Sequence, residues 1–302
     1  MVSVVVASYR RPDGVRRLVD ALARQTYRPF ELVVVDQTDD PEVAAVVDAV
    51  TAFPARFVTC VPDVPADRRG RPPSNASRAR NHGVEMSVAE SAIVAFTDDD
   101  CVPAPQWLER LTLPLRRDPD CVLVAGPNTT VPNDYDPDVE VRRAGRQRPQ
   151  LIHAQGGASS LAVRRDVFDA VGGFDVRFGP GTSVPGAEDQ KLIYEILGWA
   201  ATHDKWCAGR TDACVDDSVP DGRLARMRRA WRYMRSFGVM LRTEAREHDD
   251  TVAADVLRTE LRANRAAFGE ALRARSPFWV ATIPVQTTAI VAGWWFGEPR
   301  DP

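Results

Sequence analysis

At 302 residues, with 44% hydrophobic and 27% charged side chains, the chain has an ordinary globular composition, enough for one large α/β domain or two modest ones. A formal net charge of -3 and a pI near 5.9 exclude the overall basic field that carries nucleic-acid binding. Five cysteines, odd in number and without close-paired spacing, indicate neither a disulfide framework nor a zinc knuckle and fit a reducing cytoplasm.

The first hundred residues alternate between two periods. Val2 to Ala7 is a β-branched run with no basic segment before it, so it reads as a first strand rather than a signal. Apolar residues at 15, 18, 19 and 22 predict a helix, and Glu31 to Asp36 ("ELVVVD") a second buried strand. Val43 to Val50 follows as a helix, 56–61 as a strand, Ser74 to Glu90 as a longer helix and Ala92 to Thr97 as another strand. Strands apolar on both faces, with helices between them, imply a mostly parallel sheet covered on both sides. Ligands in such sheets bind at the carboxyl ends of the strands. Ser8 and Tyr9, then Asp36, then Asp98 to Asp100 are the polar groups at those ends.

Beyond Asp100 the pattern loosens. Pro103 to Arg117 predicts a helix and Cys121 to Ala125 a strand, while 128–150, rich in Pro, Asp and Arg, reads as a loop and a candidate lid. Leu161 to Val163 reads as a short strand and Asp166 to Val171 as a helical turn. "GGFDVRFGPGTSVPGAEDQKL" is a Gly/Pro-rich loop entering a helix that turns Leu192, Ile193, Ile196 and Leu197 inward. Arg223 to Arg242 carries Leu224, Met227, Trp231 and Met234 at helical spacing, among arginines that form either a solvated face or a platform for an anionic acceptor or membrane. Pro277 to Phe296 is uncharged and near spanning length, but Pro284, Gln286 and two threonines favour a helix or hairpin packed on the domain over contact with a membrane face.

Two acidic groups carry the chemistry. "TDDDC" crowds Asp98, Asp99 and Asp100 at a strand end, where the carboxylates repel one another. A solvated acidic turn is one reading. The other is a magnesium or manganese site that takes one or two carboxylates and completes its shell with a substrate's phosphates. No glycine follows at the spacing of a calcium loop. The second group, Glu188 and Asp189 in "GAEDQKL", opens a helix, where acids also complement the helix dipole.

The ordered set "VSVVVASYRR", "ELVVVDQT", "ARNHG", "FTDDDC", "VGGFD" and "GAEDQKL" resembles glycosyltransferase family 2 over about residues 1 to 240. The resemblance implies a GT-A fold and inverting transfer of a sugar from a nucleotide diphosphate donor, UDP-sugar favoured, with Mn2+ or Mg2+ as cofactor. Residues 1–218 would be the catalytic domain, with a nucleotide-binding half (1–100) and an acceptor-binding half (101–218), and 219–302 a helical extension. Asp36 resembles the carboxylate that reads the nucleobase, Ala7, Ser8 and Tyr9 the loop supporting that base, and Arg80 an arginine packed near the nucleoside. Asp98 is similar to the residue bonding the ribose and Asp100 to the metal ligand, leaving Asp99 least essential. Asp189 takes the place of the general base and Glu188 a supporting role. Gly156 and Gly157 are expected to line the donor or acceptor pocket, with Phe174 and Asp175 on an acceptor-facing loop. Where many members carry a metal-binding His, this chain has "CVDDSVP", so either Asp217 (or its neighbour Asp216) completes the metal shell or the third ligand is absent.

The implied acceptor is a hydroxyl or amine of a small molecule, a carrier-bound intermediate or a glycan. Two alternatives remain: a nucleotidyltransferase making nucleotide sugars, which would need a glycine-rich cradle where this chain has "ASYRRPDG", and a non-catalytic sugar- or nucleotide-binding module.

Overall fold

The computed structural model describes residues 1–61, 74–127, 140–143, 157–210, 213, 215–216, 222–248 and 250–300, those at 140–143, 210 and 216 by their backbone only. Four strands and three helices alternate first: β1 (Val2–Ser8), α1 (Pro12–Ala23), β2 (Phe30–Asp36), α2 (Pro41–Asp48), β3 (Ala55–Thr59), α3 (Ala76–Glu85) and β4 (Ile93–Phe96). Each helix starts where its sequence says it should. Pro12 opens α1, the Asp40 side chain accepts from the Glu42 amide at the head of α2 (2.9 Å), and Asn75 accepts from the Arg78 amide at the head of α3 (2.9 Å).

The second half contains β5 (Val102–Pro103), α4 (Trp107–Arg117), β6 (Cys121–Ala125), β7 (Glu140–Arg143), a 3-10 turn (Gly157–Ser160), β8 (Leu161–Arg164), α5 (Arg165–Ala170), α6 (Glu188–Thr202), β9 (Trp206–Arg210) and β10 (Val215–Asp216). The main sheet has the order β3-β2-β1-β4-β8-β6-β9-β7. Pairs within β3-β2-β1-β4 and the β6-β9 pair run parallel, while β8 is antiparallel to both its neighbours and β7 to β9. The expected mostly parallel GT-A-type sheet is therefore present, closed by antiparallel additions. Chain order reverses between β1 and β4, the switch point where a crevice opens above the strand ends. Register aligns Ser8 with Asp36 and Val5 with Phe96, so β1, β2 and β4 all end on that crevice.

The strands are buried on both faces. Val4, Val6, Leu32 and Val34 pack toward α1 and α4, while Val5, Val33, Val35 and Phe96 pack toward α3 and α6. Three helices follow: α7 (Arg223–Glu247), α8 (Thr251–Arg273) and α9 (Pro277–Phe296). Phe237, Val239, Met240 and Leu241 of α7 belong to the same core as Leu192, Ile193 and Ile196 of α6. A buried Lys191–Glu244 ion pair ties α6 to α7. Alongside α7, α9 approaches so closely that a Cβ at Gly238 would stand 2.1 Å from the Ile290 carbonyl, and one at Gly293 would stand 2.1 Å from that of Arg235. The packed-helix reading of 277–296 holds, and no described helix is long and apolar enough to cross a membrane.

Two expectations need correction. Within 128–150, residues 140–143 form an edge strand rather than loop; the rest of that segment lies outside the described residues. The apolar stripe expected on α7 does not face inward along its length: Leu224 is 61% exposed and Trp231 37%, because burial begins only at Ser236, where the helix reaches α6. The sequence reading assigned neither α8 nor β9.

Candidate functional site

A cleft of about 610 Å³ opens at the switch point, and both acidic groups line it. One wall is the turn after β4, with Asp98, Asp99 and Asp100; another is the start of α6, with Glu188 and Asp189. Ala7 and Tyr9, at the carboxyl end of β1, complete the floor.

Arg80, on α3 beneath the cleft, joins the two acidic walls. Its guanidinium donates to Asp98 Oδ1 at 2.7 Å and to Glu188 Oε1 at 3.4 Å, and it stands 5.4 Å from the ring centroid of Phe174. Burial works against its charge, yet the carboxylates of Asp98 and Glu188 hold its pKa above the ordinary arginine value. Burial likewise raises Glu188 to about 7, helped by the negative charge of Asp189 and opposed by Arg80. Asp189 is also raised by burial, against hydrogen bonds from the Gln190 and Ala158 amides.

Those bonds fix the Asp189 carboxylate. The Gln190 amide donates to Oδ1 at 2.8 Å and the Ala158 amide to Oδ2 at 3.3 Å. Gly157 makes the second bond possible: its φ is +58°, and a Cβ there would lie 1.8 Å from Asp189 Oδ2. Ala187, the residue before α6, holds a left-handed backbone at φ 69° without being glycine, a strained conformation of the kind found at functional sites.

In the triplet, Arg11 donates to Asp99 Oδ1 at 3.0 Å and pairs with Asp100, while the Tyr9 amide donates to Asp99 Oδ2 at 3.3 Å. Burial raises Asp99 to about 6, with Arg11 opposing. Asp98 and Asp100 offer half-buried carboxylate oxygens, and their ligand atoms lie with Cys101 Sγ within 4.8 Å of one another. Paired hard oxygens facing an open cleft fit Mg2+ or Mn2+; the buried, soft Cys101 sulfur does not suit either.

Of the residues expected here from sequence, the cleft brings together Ala7, Tyr9, Arg80, Asp98, Asp99, Asp100, Gly157, Glu188 and Asp189. Ser8 and Asp36 are fully buried just behind it. Asp36 Oδ1 accepts from the Thr38 amide (2.8 Å) and the Asp40 amide (3.0 Å), leaving Oδ2 buried with no protein partner. Phe174 and Asp175 do not line the cleft: Phe174 is a core ring under Arg80, and Asp175 pairs with Arg177 at 2.8 Å. Gly156 and Asp217 lie outside the described residues. Sequence reasoning missed Arg11, Gln37 and Tyr233 as cleft residues, and held Arg229 only as one arginine of a helix that was either a solvated face or a platform for an anion. Arg11 was visible only as the end of "SYRR", and Tyr233 was hidden in that same helix.

Residues 3–172 match glycosyl transferase family 2. A glucosyl-dolichyl phosphate glucuronosyltransferase of Haloferax volcanii is 30% identical over 193 residues, covering 59% of this chain and 57% of that relative. The chain thus spans little over half the length of that relative. Among solved structures, mannosyltransferase PcManGT from Pyrobaculum calidifontis, in complex with GDP-Man and Mn2+, superposes with a TM-score of 0.61 at 19% identity, covering 97% of this chain and 87% of that one. Staphylococcus aureus TarS in complex with UDP-GlcNAc superposes at 0.58 with 16% identity, covering 96% and 81%. At these identities the two structures establish a shared fold.

Proposed function

We propose that this chain, which belongs to glycosyl transferase family 2, is a metal-dependent inverting enzyme that moves a sugar from a nucleotide diphosphate donor to a hydroxyl or amine acceptor. One observation carries the reading: two carboxylate groups with different tasks face each other across a single cleft and share Arg80. An inverting displacement needs a base on one side of the anomeric carbon and a stabilised leaving group on the other.

The base is Asp189. Its carboxylate takes the acceptor's proton as the acceptor atom bonds to the anomeric carbon; the bond from that carbon to the diphosphate breaks, and its electron pair leaves with the diphosphate. The Ala158 and Gln190 amides hold the carboxylate in place, and Glu188, fixed by Arg80, supports it. On the donor side, Asp98 and Asp100 would hold the cation; the third ligand, Asp217 or Asp216 if there is one, falls where the structure describes no side chain. A divalent cation there supplies positive charge against the departing diphosphate. Ala7, Ser8 and Tyr9 support the nucleoside, and the unpartnered Asp36 Oδ2 suits an imide N–H, which uridine and thymidine both offer. Residues 1–218 carry this chemistry and 219–302 extend it. Four free cysteines among the described residues agree with a reducing, cytoplasmic setting.

Thermal-shift titration of UDP, dTDP, GDP and CDP, each with and without Mn2+, tests the reading. A ligand at a hundred times its dissociation constant stabilises the folded state by about 2.7 kcal/mol. One diphosphate is expected to raise the melting temperature with Mn2+, and Asp100→Asn to remove that metal dependence. If no nucleotide shifts the wild type under either condition, the donor-site assignment fails.

A further inference from the structure

The cleft wall beside the base comes from α7, outside the span that matches the family. Arg229 and Tyr233 stand one helical turn apart on α7 and both line the cavity. The Tyr233 ring packs over Gly186: a Cβ at that position would stand 3.0 Å from ring Cδ1, so the glycine lets α7 come this near to the Glu188–Asp189 turn. Burial raises the pKa of Tyr233, and the charges of Glu188 and Asp189 raise it further, with Arg229 and Arg232 opposing. Tyrosine, arginines and catalytic carboxylates therefore share one small region.

Charge is sorted across this cleft. Arg11 and Arg80 are engaged with the Asp98–Asp100 turn and Glu188. Arg229 is a further cation lining the cleft among the described residues, on a helix with no acidic residue between Arg223 and Thr243. The Arg229–Tyr233 turn lies on the exposed first half of α7, before the helix becomes buried at Ser236. A neutral acceptor would gain little from arginine beside carboxylates that already repel anions. An acceptor carrying a phosphate would need it: the guanidinium fork matches phosphate oxygens in two parallel hydrogen bonds, and a phenol can donate to a third.

We infer that Arg229 and Tyr233 form an acceptor subsite that grips a phosphate on the acceptor and delivers a separate hydroxyl of the same molecule to Asp189. This deepens the sugar-transfer reading and rests on it. The phosphate could belong to a soluble sugar phosphate or to a lipid-linked one; the recognising chemistry is the same.

The test is calorimetric titration on the full chain with nucleoside diphosphate and Mn2+ saturating, so that phosphate probes do not enter the donor site. Glucose 1-phosphate is compared with methyl glucoside, and farnesyl phosphate with farnesol. The phosphorylated member of at least one pair should bind at least about tenfold tighter than its neutral partner, and the pair that responds identifies the soluble or the lipid source. Arg229→Gln should erase that preference and Tyr233→Phe reduce it, with nucleotide binding unchanged in both. Arg228→Gln, on the exposed side of the same helix, should retain it, which separates a local subsite from a general basic field. Equal binding of phosphorylated and neutral probes by the wild type, or a preference that survives Arg229→Gln, overturns the inference. Loss of nucleotide binding by the wild type would instead strike the proposed function, so the two failures are distinguishable.

Discussion

Gly157→Ala separates geometry from stability at the base. Gly157 has φ +58°, and a left-handed backbone costs a non-glycine residue about 1–2 kcal/mol. The added methyl would also sit 1.8 Å from Asp189 Oδ2, closer than the 3.0 Å below which Cβ contacts essentially never occur. The carboxylate must therefore retreat by more than an ångström or lose its bond from the Ala158 amide. A misplacement of that size in a reacting group costs on the order of 100-fold in rate. Gly172→Ala is the matched control, with φ +83° and nothing within 4 Å of the position its methyl would take. Both variants should lose the thermal stability that the left-handed backbone costs, and Gly157→Ala somewhat more because of its contact with Asp189. Gly157→Ala alone should lose about 100-fold in kcat for sugar transfer, with nucleotide-dependent stabilisation intact. Gly157→Ala activity within about threefold of wild type, or an equal loss in Gly172→Ala, would refute the placement of Asp189 as base.

Burial raises both Glu188 and Asp189, which titrate as a pair, so the rising limb of kcat/KM against pH should lie above the ordinary carboxylate range. Glu188→Gln removes the like charge and should move that limb to lower pH in a pH–rate profile. Lys191→Met leaves the fully buried Glu244 without its cation and should destabilise the fold by about 3–5 kcal/mol at pH 8 in urea titrations. Glu244 is already raised to about 7 by burial, so its folded pKa exceeds its unfolded one; at pH 5 it is protonated and the loss should shrink. Gly238→Ala places a methyl 2.1 Å from the Ile290 carbonyl and should lower stability by about 1–3 kcal/mol, read as a drop in melting temperature. Asp98→Asn and Glu188→Gln share Arg80, so their stability effects should be non-additive by about 0.5–3 kcal/mol in a double-mutant cycle.

The elements most visible in the sequence were those whose burial is decided locally. β1, β2 and β4 are continuous apolar runs because both faces are covered, and α1 repeats its apolar residues on the helical period. The acidic groups were visible because adjacent carboxylates repel one another, although an acidic turn and the helix dipole offered other readings of them. What the sequence hid depends on distant contacts. Leu224 and Trp231 have helical spacing but remain exposed among the described residues, because α7 becomes buried only from Ser236. Arg80 was expected near the nucleoside from the resemblance, but only the fold reveals that Asp98 and Glu188 converge on it. Phe174 follows a Gly-Gly turn and looked ligand-facing, yet it fills the core against Phe96 and Phe168.

Arg80 also explains why so many carboxylates can share one cleft without unfolding it. Asp98 and Glu188 come from elements that meet only in the folded chain, and a single buried guanidinium satisfies both. The desolvation cost of that cation is offset only while both anions stay near it. The same arginine that stabilises the switch point therefore sets the distance between the Asp98 and Glu188 carboxylates, and a lysine could not hold both in one planar fork. Asp99 and Asp100 are balanced separately by Arg11, which is 52% exposed and free to leave when a ligand supplies positive charge instead. Buried charge is thus committed to geometry and exposed charge to exchange, which is the division a site needs if it is to keep its base fixed while its donor comes and goes.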